Sequence, residues 1–311
     1  MGHHVVVGAG GIGRATATRL VELGHEVTLA SRSGTDPHLP GVRAAVVDAA
    51  DATALTALAR GADSIVNAVN PQGYHQWPRD WPPVAAAMLA AAEGSGAGLV
   101  VVSNLYGYGR VDAPMTEETP LRPAGTKGRI RAQMWRDALA THEAGRIRAT
   151  ELRASDYFGP GAGDAVSVLN RFVIRPASRG KRVWLISGGP DVPHSWTYLP
   201  DIGALAAVLA TDDRSWGRVW HVPTSAPRTA REVARDAAAA AGHPEPKVAA
   251  MPGPVKLVAR VSPVVRELDE TRHQFERPFV LDSTRTAETF GLEPTPWDQA
   301  LAGTVSWVGS A

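Results

Sequence analysis

Six residues near the start of the chain are the first to suggest chemistry. Gly8-Ala9-Gly10-Gly11-Ile12-Gly13 follows the apolar run Val5-Val6-Val7 and precedes a helical pattern. Glycines at 8, 10 and 13 form G-x-G-x-x-G between a strand and a helix. Such a turn lets backbone N–H groups reach a pyrophosphate at the helix N-terminus. The spacing predicts a dinucleotide site built on Gly8, Gly10, Gly11, Ile12 and Gly13, or a tight turn of the same shape that has lost its ligand. The next strand ends in Ala30-Ser31-Arg32-Ser33. An acid at that point would bond the ribose 2′-hydroxyl of NAD. Ser31 and Arg32 instead suit a 2′-phosphate, so NADP(H) is preferred and NAD(H) remains possible. The bland alternative for Arg32 is a solvated loop charge. Asp48 follows the third strand and is either an acceptor for the adenine amino group or a helix N-cap. Asn67 and Ala68, after the fourth strand, belong to the edge where ligands of open sheets lie.

The elements that would position these residues read as strands alternating with helices. His4-Val7, Glu26-Ala30, Val42-Val47, Ser64-Val69, Leu99-Val102 and Ile147-Leu152 are expected strands. Arg14-Leu23, Thr53-Arg60, Trp81-Glu93 and Thr126-Ala144 are expected helices. This alternation predicts an α/β fold, a doubly wound parallel sheet of Rossmann type. Residues 1–160 would form the dinucleotide-binding domain. Residues 161–311 would be mainly a smaller, interleaved substrate lobe, with some segments returning to the sheet. There, Asp164-Arg175, Asp201-Leu209 and Pro263-Phe275 read as helices and Arg182-Ile186 as a strand, while Pro244 to Pro263 is rich in proline and partly irregular.

Composition narrows the classes. The 311 residues carry a formal charge of +1, 44% hydrophobic residues and no cysteine. Thiolate metal sites, disulfides and cysteine nucleophiles are thereby excluded. The charge balance gives no reason to expect nucleic acid or a membrane as partner. No His/acid spacing suggests a metal. A cytoplasmic monomer or homodimer acting on a small molecule is the expectation.

Several motifs together resemble the extended short-chain dehydrogenase/reductase family, the epimerase/dehydratase-like group. They are the glycine turn, Val47-Asp48, Val102-Ser103-Asn104 with Tyr108-Gly109, and Arg153-Ala154-Ser155-Asp156-Tyr157-Phe158-Gly159-Pro160. Trp196-Thr197-Tyr198-Leu199-Pro200-Asp201, Asp282-Ser283-Thr284 and Phe290-Gly291-Leu292-Glu293-Pro294-Thr295-Pro296 complete the set. The family's catalytic set is a serine or threonine followed by a tyrosine four residues before a lysine. The tyrosine hands a proton to the substrate carbonyl. Here the residues four after Tyr74, Tyr106, Tyr108, Tyr157 and Tyr198 are Pro78, Arg110, Asp112, Gly161 and Ile202. Placing the family lysine at Lys127, Arg129 or Arg131 puts Pro123, Gly125 or Lys127 in the tyrosine's place. The chain resembles atypical members lacking the pair, such as angucyclinone ketoreductases.

That resemblance implies an NADP(H)-dependent ketoreductase of a bulky hydroxylated aromatic, polyketide-like ketone, whose own phenol quenches the developing alkoxide. It implies Ser103 as the retained catalytic serine and Lys127 against the cofactor; Tyr108 is either a surrogate acid or a packed residue with a satisfied hydroxyl. Asn104, Tyr106, Asp156, Tyr157 and His194 fall in segments expected to meet substrate; Asp156 either orients a substrate hydroxyl or caps a turn, and His194 is either a titrating acid or structural. Trp77 and Trp81 are planar walls for an aromatic ligand or ordinary core. Two alternatives stand beside it: a nucleotide-sugar epimerase or dehydratase, and a non-catalytic NADP(H)-binding sensor.

Overall fold

The computed structural model describes residues 1–71, 73–251 and 270–310. Seven strands form one parallel sheet: β1 (His3–Val7), β2 (Glu26–Ser31), β3 (Val42–Val46), β4 (Ser64–Asn67), β5 (Gly98–Asn104), β6 (Ala149–Ala154) and a late strand, Val219–His221. Their order across the sheet is the late strand, then β6-β5-β4-β1-β2-β3. The order reverses direction between β1 and β4, which opens a crevice at their carboxyl ends, as in doubly wound sheets generally. Val5-Val6-Val7 shows why the sheet needs cover on both sides: all three are buried. Val5 and Val7 face Leu55, Trp81, Met88 and Trp135, while Val6 faces Ala17, Leu20, Ile202 and Leu205.

Helices α1 (Gly11–Glu22), α2 (Ala52–Leu58), α3 (Trp77–Ser95) and α4 (Thr126–Glu143) fall close to the expected ranges. The exception is α3, which starts four residues before the expected Trp81. Pro78 stands in its first turn, where a missing N–H costs nothing. Asp51 caps α2 by accepting from the Ala54 N–H at 2.9 Å. That overturns the cap reading for Asp48, whose carboxylate instead accepts from the Ala50 N–H at 3.0 Å.

After β6 the chain forms β7 (Tyr157–Phe158), a π-helical turn at Asn170–Ile174 running into the short α5 (Arg175–Ala177), and β8 (Val183–Leu185). The helix expected over Asp164-Arg175 thus begins late, because its first residues form turns around Asn170. The buried Asn170 amide donates to the carbonyls of Gly159 and Ala162. Next come β9 (Thr197–Tyr198), which pairs with β7, then α6 (Leu199–Thr211) and the late strand Val219–His221, now β10. The α6 helix lies against α1 on one face of the sheet. Helix α7 (Ala230–Ala240), begun by a capping box of Thr229 and Glu232, and β11 (Val248–Ala250) return to the lobe. The lobe has its own core, including Phe158, Leu169, Val173, Trp196, Val233 and Trp297. Most of the expected helix Pro263-Phe275 lies outside the described residues; His273–Glu276 is helical. Among the described residues, no helix is long and apolar enough to cross a membrane.

Two buried histidines make the fold sensitive to acid. His4 and His221 have their pKa lowered from 6.5 to about 4, chiefly by burial. The unfolded chain therefore takes up protons first. Their contribution to stability is complete above about pH 6.5 and is lost as pH falls towards 4. For the fully buried His221 the loss is about 3 kcal/mol. Urea midpoints measured from pH 7 to 4 should fall through this window; a midpoint constant over it would contradict the account.

Candidate active site

The turn between β1 and α1 has the shape that a diphosphate needs. Gly8 has φ +113°, a conformation closed to most side chains. A Cβ at Gly8 would meet the Ala68 carbonyl, one at Gly11 the Gly161 carbonyl, and one at Gly13 the Gly8 carbonyl. A Cβ on Gly10 would meet nothing within 4 Å. The turn is therefore packed against protein at three glycines and open at the fourth. Gly10 is the N-cap of α1 and offers no side chain to the first-turn N–H groups, which stay available to an anion.

At the end of β2, Ser31 Oγ accepts from the Gly34 N–H at 3.1 Å and lies 3.3 Å from Ser33 Oγ. The Thr35 hydroxyl donates to Ser33 Oγ at 2.9 Å, and Arg32 is exposed beside these groups. Residues 31–35 thus gather three hydroxyls and one guanidinium, with no carboxylate, at the position that faces an adenosine ribose. These features fit a nicotinamide dinucleotide.

Beyond the turn lies a cavity of about 380 Å³ at the carboxyl ends of β1, β4, β5 and β6. Ile12 and Ala68 border it on the glycine-turn side. Ser103, Asn104 and Tyr106 come from the end of β5, and Asp156 and Tyr157 from the end of β6. Tyr74, Trp77, Phe172, Phe275 and Phe279 supply flat apolar walls. Among the described residues, the charged side chains lining it are Arg131, Arg171, Asp156 and Asp164, and Asp164 is paired to Arg175 at 3.2 Å.

Three phenols converge here. The Tyr74 and Tyr106 hydroxyls lie 3.4 Å apart, and Tyr157 is close to Tyr74. Burial drives the Tyr106 phenol well above its ordinary range, with Tyr74 and Asp156 adding to the effect. Burial likewise raises Tyr157, opposed by Arg131. Tyr106 and Tyr157 therefore act as hydrogen-bond donors that keep their protons at neutral pH.

The α4 helix settles its register against the cavity. Lys127 and Arg131, one turn apart, are buried at 4% and 6% exposure, while Arg129 is exposed. Lys127 Nζ sits 4.4 Å above the Tyr74 ring, and its backbone N–H donates to Glu270 Oε1 at 2.7 Å. It packs behind the tyrosine wall. Arg131 reaches the cavity itself: it donates to the Val102 carbonyl at 3.2 Å, with its guanidinium 4.0 Å from the Trp81 ring. Burial lowers its pKa to about 10, against the pull of Glu151. Sequence reading named Arg131 only as one of three registers; the i, i+4 step from Lys127 was the available signal.

Other expected residues are placed differently. Tyr108 is away from the cavity and does not fit the surrogate-acid reading. It is 1% exposed, and its hydroxyl lies 2.7 Å from His221 Nε2. His221 Nδ1 donates to the Asp282 carbonyl at 2.7 Å, so Nε2 is the acceptor and the Tyr108 proton is committed to it. Burial pushes that phenol up to about 12. Trp77 lines the cavity, whereas Trp81 stands behind it as core, edge-to-face at 5.8 Å. Asn67 is buried and its side chain accepts from the Val69 N–H at 3.2 Å, shaping the rim. Asn104 does the same for the Tyr106 N–H at 3.1 Å. Ser103 lines the cavity and bonds the buried Glu151 carboxylate. His194 lies behind Asp156, its Nε2 at 3.0 Å from Asp156 Oδ2. Among the described residues, no group of three or more acids and histidines can hold a metal ion.

The family model described as NAD dependent epimerase/dehydratase family matches residues 4–222. No curated protein matches the chain. Among solved structures, UDP-glucose 4-epimerase of Thermotoga maritima with UDP-glucose is similar at a TM-score of 0.79 and 17% identity, covering 99% of each chain. UDP-glucose 4-epimerase of Thermus thermophilus with NAD gives 0.78 and 19%, again covering 99% of both. The dTDP-glucose 4,6-dehydratase of Bacillus anthracis str. Ames with NAD gives 0.77 and 17%, covering 100% of this chain and 97% of the other. At these identities the likeness concerns the fold.

Proposed function

The chain belongs to the NAD dependent epimerase/dehydratase family, and from that premise we propose that it is an NADP(H)-dependent reductase of a ketone on a bulky, hydroxylated aromatic molecule. The observation that carries the reading is the cavity wall: Tyr74, Trp77, Tyr106, Tyr157 and Phe172 surround about 380 Å³. Flat rings favour a planar apolar ligand.

When bound, the dinucleotide supplies the hydride. The glycine turn and the first N–H groups of α1 hold its diphosphate, and Ser31, Arg32 and Ser33 hold the 2′-phosphate. The Tyr106 phenol is the donor for the substrate oxygen, the Ser103 proton being committed to Glu151, and a phenol on the substrate beside the ketone shares the developing negative charge. No step needs the missing tyrosine–lysine pair: positioning alone can supply roughly 7–11 kcal/mol of the barrier, against roughly 3–6 kcal/mol for a positioned acid worth about 10²–10⁴-fold.

The test is NADPH oxidation with hydroxynaphthoquinone-type ketones. Turnover is expected with these and not with UDP- or dTDP-glucose; tight NADPH binding with no ketone reduced would end the reading. The second reading, conversion of a nucleotide sugar, draws support from the named substrates of the similar epimerases and dehydratase. Turnover of either sugar nucleotide would put it first. Cofactor choice has its own test. Arg32→Glu should weaken NADPH by about 10- to 100-fold while sparing NADH, since a charge-assisted bond to phosphate is worth about 1.5–3 kcal/mol. Equal NADPH affinity in titrations of both proteins would remove Arg32 from the site.

A further inference from the structure

One positive charge reaches the cavity without a carboxylate of its own. Three ionic side chains are buried around β5 and β6: Glu151 and Arg153, at 1% and 4% side-chain exposure, and Arg131, at 6%. Glu151 pairs with Arg153 at 2.6 Å and holds the Ser103 hydroxyl. It acts on Arg131 from beyond ion-pair distance, and no other carboxylate of the described residues pairs with Arg131. The trio holds two cations to one anion. A buried charge is costly unless it is paired and hydrogen-bonded. Of the Arg131 nitrogens, Nη1 donates to the Val102 carbonyl at 3.2 Å, and Nε is buried with no hydrogen-bond partner among the described residues. The rings of Trp81, at 4.0 Å, and Trp77, at 5.0 Å, pack against the guanidinium. With its pKa lowered to about 10, the group still carries its charge at pH 7.

The rest of the lining does not neutralise this charge. Arg131 borders the cavity together with Tyr106 and Tyr157, whose phenols keep their protons and lie close enough to act on it. Asp164 is taken by Arg175. Arg171 is exposed, with its guanidinium 4.9 Å from the Phe172 ring. Asp156 stands beside His194 and acts on the Tyr106 and Tyr157 phenols. With the Glu151–Arg153 and Asp164–Arg175 pairs set aside, Arg131, Arg171 and Asp156 remain, two cations to one anion. A fixed cation flanked by neutral phenols, in a space walled by rings, is an arrangement that favours negative charge on a ligand oxygen.

We infer that Arg131 is the anion-holding group of the cavity and that, in the reduction, it is the catalytic residue that stabilises the oxyanion formed on the ketone. The catalytic part deepens the reductase reading and rests on it; the preference of the cavity for an anion does not. In the step, the ketone carbon gains a hydride from the reduced dinucleotide, and the C=O π pair moves onto oxygen. The Arg131 guanidinium faces the negative charge as it grows, and the Tyr106 phenol donates a hydrogen bond to it. Arg131 keeps its own hydrogens. The alkoxide takes its proton from the phenol beside the ketone, or from water where the substrate has none. A neutral ketone gains little from the cation and the oxyanion gains much, which is what lowers a barrier.

The test uses the full chain in two arms. The first compares 2-naphthoate with 2-acetylnaphthalene by calorimetry at pH 7; the two have nearly one shape and differ in charge. Without dinucleotide, the wild type should bind the carboxylate about 10- to 100-fold more tightly. Equal affinities overturn the inference with no variant needed. Saturating NADP+ should leave the naphthoate affinity no weaker; displacement by NADP+ would put the anion over the glycine turn and overturn it. Displacement by UDP would give the charge to a nucleotide diphosphate and overturn it too. Arg131→Met, which keeps an unbranched stem between the two tryptophans, should lose the preference, while Arg171→Met should change it by less than about 5-fold, the worth of an exposed charge. The reverse pattern overturns the assignment to Arg131. In the second arm, Arg131→Met should lower kcat on a hydroxynaphthoquinone-type ketone by about 10²–10³-fold, with KM and NADPH affinity little changed. A loss of NADPH affinity with kcat intact would assign Arg131 to the dinucleotide and overturn the catalytic role. A wild type that prefers the carboxylate and reduces no ketone upholds the anion site and defeats the reductase reading.

Discussion

Glu151→Ala is expected to destabilise the protein by about 3–5 kcal/mol, the usual cost of orphaning a buried ion-pair partner. Glu151 and Arg153 lie two residues apart on the same face of β6, at 1% and 4% side-chain exposure, 2.6 Å apart. Burial pushes the Glu151 carboxyl above its ordinary range; Arg153, the Ser103 hydroxyl and Arg131 pull it back. Arg153 in turn lies 4.8 Å over the Tyr108 ring, whose hydroxyl is bound to His221. Removing the carboxylate strands one guanidinium in the sheet and deprives a second, Arg131, of its counter-charge at the cavity. Urea denaturation should register the full loss. The double substitution Glu151→Leu with Arg153→Met should recover most of it, because an apolar pair of similar volume replaces a salt bridge at little cost. If the single variant unfolds at the wild-type midpoint, the network carries no stability.

The second large effect concerns the glycine turn, and it separates two positions. In Gly13→Ala the new methyl would fall on the Gly8 carbonyl and come within 3.5 Å of Val6 Cγ1. Backbone cannot give way there without opening the turn, so NADPH affinity should drop by at least about 100-fold, some 3 kcal/mol, together with thermal stability. In Gly10→Ala the methyl meets nothing within 4 Å. That variant should melt like the wild type and still bind NADPH poorly, since the empty space is where the diphosphate must pass. Fluorescence titration and thermal melts read both. Gly10→Ala with undiminished affinity would mean that the dinucleotide does not lie over this turn.

The sheet could be read from the chain because a parallel sheet covered on both faces needs continuous apolar strands, and Val5-Val6-Val7 or Leu99-Val102 provide them. The glycine turn was legible for a similar reason: its chemistry is local. What could not be read was whatever depends on distant packing. Tyr108 and Tyr106 stand two residues apart, yet one faces the cavity and the other His221, a residue 113 positions away. His194 and Asp156 are separated by 38 residues and a strand pair, so no spacing rule joins them. The last sheet strand, Val219–His221, is only three residues long and was missed; its burial comes from its neighbours and not from its own pattern.

That short strand has a consequence for synthesis on the ribosome. It docks beside β6 through Glu151, Leu152 and Arg153, so the outer rim of the sheet stays unzipped until residue 221 has emerged from the exit tunnel. Until then a charged pair that ends up deep in the folded enzyme is wetted by solvent, and water rather than protein satisfies it. A fragment ending near residue 160 would hold the glycine turn without the Gly161 carbonyl that Gly11 packs against and keep an open seam along β6, and two such fragments could zip together there.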